Sequence, residues 1–109
     1  MSTITASDYG RAGHYLERLR LSLAHVRPPI LFAGHTLSGS QLGEYRFLIG
    51  PKCSVCVRAP VTPRGTPRGG WRYRRSQDQA AEWQTARTLD ATVDGIEAVA
   101  RQYWTPPGR

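Results

Sequence analysis

The residues in this chain best equipped for chemistry are its arginines. Between Arg46 and Arg75 stand eight basic residues (Arg46, Lys52, Arg58, Arg64, Arg68, Arg72, Arg74, Arg75) and no Asp or Glu. The rest of the chain holds seven basic and eight acidic residues, so the formal charge of +7 resides in that central stretch. Lys52 is the only Lys among 15 basic residues, a skew that follows either from use of bidentate, stacking cations or from GC-rich coding DNA. A guanidinium offers a flat fork of N–H donors, so a surface bearing several of them binds anions, phosphates above all.

Inside the stretch lies a tandem repeat, Thr62-Pro63-Arg64-Gly65 followed by Thr66-Pro67-Arg68-Gly69. Proline favours an extended unit, glycine removes bulk, and each unit presents one Arg. Such a segment suits a DNA minor groove, whose negative potential attracts inserted Arg. Pro63-Arg64-Gly65-Thr66-Pro67 resembles the Pro-Arg-Gly-Arg-Pro core of AT-hook peptides over five residues, with Thr66 in place of the second Arg. The resemblance implies a groove-binding loop with one inserted guanidinium fewer. A solvated hairpin tip is the plainer reading of the same repeat.

Other chemistry finds little footing. Cys53-Ser54-Val55-Cys56 is half of a tetrahedral zinc site, and no second pair completes it. His14 and His25 stand 11 residues apart on one predicted helix, about three turns, too far to share a proton. Asp90, Asp94 and Glu97 recur at spacings of four and three, as a solvated helix face does. His35, Ser38 and Ser40 share a Gly-containing loop with no orienting acid nearby. Glycine spacing matches neither a Walker loop nor a dinucleotide fingerprint. No metal, cofactor or catalytic residue is therefore expected.

The arginines must be held by regular elements, and periodicity says which. Ala12, Leu16, Leu19, Leu23 and Val26 recur at helical spacing, predicting a helix over 7–26 with Ser7 as N-cap, stopped by Pro28-Pro29. Gly10 and Gly13 weaken its first turns. Strands are expected near 30–33, 44–49, 53–58 and 71–75, with Tyr45, Phe47, Val55, Val57, Trp71 and Tyr73 facing a core. Residues 76–87 are ambiguous: Ser76 with Gln79 suits a capping box, whereas Trp83, Thr85 and Arg87 alternate as a strand over 82–87 does, the reading preferred here. Leu89, Val93, Ile96, Ala100 and Tyr103 predict a helix over 89–104, before Pro106-Pro107.

The expected fold is α+β in one small domain over 1–109: an N-terminal helix, an antiparallel sheet of three to five strands and a C-terminal helix, both helices on one sheet face. The 59–70 segment is the Arg/Pro/Gly-rich hairpin loop. The order α-β-β-β-α also occurs in double-stranded-RNA-binding domains, but the last helix here opens Leu89-Asp90 without a basic cluster. Neither a signal-peptide pattern nor an apolar run long enough for a membrane span is seen, and two cysteines fit a reducing compartment, so a cytoplasmic location is expected.

Two functions follow. One is a basic, non-catalytic module that contacts nucleic acid, with Arg46, Arg58, Arg72 and Arg74 on phosphates and Arg64 and Arg68 reaching into a groove. The other is a phage or mobile-element accessory protein, anti-CRISPR-like, that docks on an acidic protein surface of a host complex, with Trp83, Tyr103 or Trp104 as interface anchor. A homodimer through an open sheet edge or face is compatible with either.

Overall fold

The computed structural model describes residues 9–26, 30–34, 43–50, 53–75 and 82–103. Helix α1 spans Arg11–Leu23 and buries Ala12, Leu16, Leu19 and Leu23, the stripe that its spacing predicts. It is shorter than expected at both ends. Its N-cap is Gly10, at φ 57° and ψ −136°, a conformation that glycine alone adopts freely, and not Ser7, which lies outside the described residues. No side chain caps it; the Arg11 N–H donates instead to the carbonyl of Pro63, 3.0 Å away in the arginine-rich loop. Gly10 is therefore a fixed junction, and Gly13 is buried in the first turn. At the other end the Ile30 N–H donates to the Leu23 carbonyl at 3.1 Å, so the chain doubles back and satisfies one of the free acceptors of the last turn. Pro28 and Pro29 lie outside the described residues.

Five strands follow: β1 (Leu31–Gly34), β2 (Glu44–Gly50), β3 (Cys53–Arg58), β4 (Trp71–Arg75) and β5 (Gln84–Ala86). They form one sheet in sequential order with every neighbour antiparallel. Short links make this order natural, since antiparallel neighbours need only a hairpin between them. The ambiguous segment resolves at 84–86 as an edge strand, paired Trp71 to Ala86 and Tyr73 to Gln84; Ser76 and Gln79 lie outside the described residues.

Helix α2 (Leu89–Tyr103) closes the fold. Thr88 caps it: its Oγ1 accepts from the Ala91 N–H at 3.1 Å, which satisfies one of the helix's free N-terminal donors. The fully buried Thr92 returns its hydroxyl to the Thr88 carbonyl at 2.8 Å, so this polar group enters the core already bonded. Both helices lie on one face of the sheet, α1 over β1 and β2, α2 over β2, β4 and β5. Between them and the sheet sits one core of Tyr45, Phe47, Val55, Val57 and Trp71 against Leu16, Leu19, Ile96 and Ala100. Each such side chain, fully buried, contributes roughly 1.5–3 kcal/mol of transfer free energy. Among the described residues no helix is long and apolar enough to cross a membrane.

Candidate functional site

Strand alternation decides where the arginines go. Tyr45, Val57 and Tyr73 are register partners on the helix-covered face; one residue on, Arg46, Cys56 and Arg74 form a row on the opposite face. Glu44, Arg58, Arg72 and Thr85 form the neighbouring row of that same face. The helices cover the other side, so Arg46 and Arg72 are exposed, while Arg58 and Arg74 are half-buried by their neighbours. Of the remaining sequence candidates, Lys52 lies outside the described residues, and Arg75 falls on the core-side parity of β4, opposite Val55.

Trp83 joins this face. It immediately precedes β5, and the pairing of Gln84 with Tyr73 sets it beside Arg74. Its ring centroid is 4.3 Å from the Arg58 guanidinium carbon and 4.5 Å from that of Arg74. The indole therefore reaches across β4 to β3, and two cations stack on it at a gain of about 0.5–2 kcal/mol each. Stacking on the ring orders both guanidinium groups. Leu48, on the same face, is 46% exposed.

The repeat loop is not the extended segment that its prolines suggest. Its two units fold on each other: the Thr62 N–H donates to the Thr66 carbonyl at 2.9 Å, Gly65 N–H to the Thr62 carbonyl at 2.8 Å, and Val61 bridges to Pro67. The Thr62 hydroxyl accepts from the Thr66 N–H at 3.0 Å, and Gly65, at φ 92°, makes the turn. The Thr62 hydroxyl and a left-handed glycine outweigh the extended preference of proline, and a miniature hairpin results.

This hairpin separates its two arginines. Arg64 is exposed in the turn, next to Gly65, whose backbone lies against Arg11 at the start of α1. Arg68 is half-buried, its N–H bonded to the Pro60 carbonyl at 2.8 Å. Burial first, then the positive charges of Arg58 and Arg72, lower its affinity for its proton, with Glu44 opposing them. Arg68 Nη1 and Arg58 Nε are buried with no hydrogen-bond partner among the described residues. Arg68 thus belongs with the sheet arginines, and Arg64 stands apart from them.

The remaining candidates are dispersed. Cys53 is buried and Cys56 half-buried, and neither forms a disulfide. Among the described residues no group of three His, Cys, Asp or Glu is placed to hold a metal ion. His14 and His25 are exposed on and just after α1; Glu17 pairs with Arg20, and Glu97 with Arg101 at 3.5 Å. Tyr103 closes α2, and Trp104 lies outside the described residues. Sequence reading missed the link of Trp83 to Arg58 and Arg74, although the parity of Trp83 with Thr85 carried the signal. Glu44, which the sequence offers as a partner for the sheet-face arginines, is brought by the strand register to the row of Arg58 and Arg72. Compared with protein-family models, curated proteins and solved structures, the chain finds no match.

Proposed function

We propose that the chain is a non-catalytic nucleic-acid-binding module whose contact surface is the helix-free face of the sheet. One observation carries the reading: Arg46, Arg58, Arg72 and Arg74 come from three adjacent strands and share the face that neither helix covers. Among the described residues, Arg46, Arg58 and Arg72 are in no ion pair. Phosphates are the partners that such forked, closely spaced cations fit, and the resulting affinity is largely independent of base sequence. Arg68 extends this set from the loop, and Arg64 is its outlying member.

The test is fluorescence anisotropy with labelled duplex DNA, single-stranded DNA and RNA, each at about 50 and 200 mM salt. The expected result is binding that weakens steeply with salt. Absence of binding at the lower salt overturns the reading and favours the second one, an anti-CRISPR-like regulator docking on an acidic protein surface. What supports that alternative is the exposed Leu48 together with Trp83 among the arginines, since aromatic and Arg side chains anchor protein interfaces.

A further inference from the structure

Where the loop returns to the sheet, Arg68 comes near enough to Arg58 and Arg72 to feel their positive charges. Arg58 and Arg72 are direct register partners on β3 and β4, and Arg68 is anchored beside them by its backbone bond to Pro60. Like charges directly opposite one another destabilise a sheet, and buried N–H donors without acceptors cost free energy. Both costs are present here: Arg58 Nε and Arg68 Nη1 are buried and unbonded among the described residues. The neighbouring carboxylate, Glu44, is the partner of Arg58 across the β2–β3 pair. Three cations and one carboxylate leave two net positive charges. Trp83 holds the Arg58 guanidinium carbon 4.3 Å from its ring centroid, which orders the group.

We propose that Arg58, Arg68 and Arg72 form a discrete receptor for a phosphate monoester dianion. A monoester carries a charge of about −1.5 to −2 at neutral pH and three acceptor oxygens, which matches two net positive charges and forked guanidinium donors. An internal phosphodiester carries one negative charge and matches less well. On the nucleic-acid reading, on which this inference rests for its macromolecular source, the group is the terminal phosphate of a strand; a phosphorylated small molecule and free phosphate share the chemistry.

Two measurements test the receptor. Thermal unfolding is followed against inorganic phosphate at constant ionic strength for the full chain and for Arg58→Lys, Arg68→Lys and Arg72→Lys, which keep the charge and lose the fork. Arg18→Ala, on the exposed side of α1, controls for loss of a distant cation. Phosphate is expected to raise Tm in the parent and in Arg18→Ala, and to do so roughly tenfold less effectively in concentration in the three Lys variants. Each variant's Tm without phosphate shows that it is folded. In the second measurement, a single strand with a 5′-phosphate is expected to bind about tenfold tighter than its 5′-hydroxyl twin.

Equal phosphate stabilisation in parent and Lys variants, or none in the parent, overturns the receptor. Phosphate binding that needs all three arginines, with neither oligonucleotide bound, upholds the receptor and removes the nucleic-acid reading. Equal binding of both oligonucleotides without phosphate stabilisation removes the receptor and leaves that reading intact.

Discussion

The backbone N–H of Arg11 donates to the Pro63 carbonyl at 3.0 Å, and through this bond the Thr-Pro-Arg-Gly hairpin caps helix α1. A cap supplied from 52 residues along the chain ties the loop that carries Arg64 and Arg68 to the helical layer. The contact is possible only at a glycine: a Cβ at position 10 would lie 2.2 Å from the Pro63 oxygen, and the backbone there has φ 57°.

Gly10→Ala is therefore expected to break the junction. Strain in such a backbone region costs about 1–3 kcal/mol, and the lost cap adds to it. At this chain length each kcal/mol lowers Tm by about 4–8 °C. A melt followed by circular dichroism measures the loss; an unchanged Tm would show that the loop does not depend on α1.

A second glycine sets the sign of an effect. On α2, a Cβ at Gly95 would stand 2.1 Å from the Tyr73 hydroxyl and 2.6 Å from its Cζ, so the helix rests on this ring. Helix propensity alone makes Gly→Ala stabilising by about 1 kcal/mol. Overpacking costs about 1–3 kcal/mol, so Gly95→Ala should be destabilising on balance. In a Tyr73→Phe background the nearest atom is gone and the loss should shrink without vanishing, because Cζ remains. Urea unfolding of the four proteins in the cycle gives the coupling; additivity would disprove the contact.

These two glycines mark what was legible in the sequence and what was not. The helix stripes and strand parities were readable because each is a local period that one buried face imposes, and they correctly put Trp71 in the core and the sheet arginines opposite it. The α1 cap was not, because its acceptor is a carbonyl in a distant loop, and carbonyls leave no mark in side-chain identity. Side-chain chemistry alone points to Ser7. The repeat spells two equivalent extended units, yet the Thr62 hydroxyl and the positive φ of Gly65 fold them face to face. Identical tetrapeptides thus place Arg64 in solvent and Arg68 among the sheet cations.

Tyr45 gives the fold an alkaline limit. Its ring is buried against Tyr9, with centroids 4.7 Å apart, and burial first, then the negative charge of Glu17, hold its hydroxyl protonated well above the usual tyrosine range. In the unfolded chain tyrosine ionises near pH 10. Above that pH the native state retains a proton that the unfolded state has lost, so stability falls as pH rises from about 10 toward the folded value. Chemical denaturation at pH 8 and 11 is expected to show this loss, and Tyr45→Phe to reduce it. If phenolate absorbance from all tyrosines appears near pH 10 with the fold intact, Tyr45 is not protected.

Trp83 separates charge from stacking at the proposed interface. Replacing the exposed Arg72 by Ala removes one cation, and it should lower the slope of log affinity against log salt by about one unit. Trp83→Ala removes no charge, so its slope should stay near that of the parent. It nevertheless releases Arg58 and Arg74 from a ring whose centroid lies 4.3 and 4.5 Å from their guanidinium carbons. If the indole also stacks on an unpaired base, affinity for single strands should fall by about 1–3 kcal/mol, and duplex affinity should fall less. Trp83→Phe keeps a π face and should recover most of the difference. Anisotropy titrations of the three variants at several salt concentrations read both quantities. A Trp83→Ala slope reduced as far as that of Arg72→Ala would show the ring acting only by ordering cations, whereas unchanged affinities in all three would remove this sheet face from nucleic-acid contact.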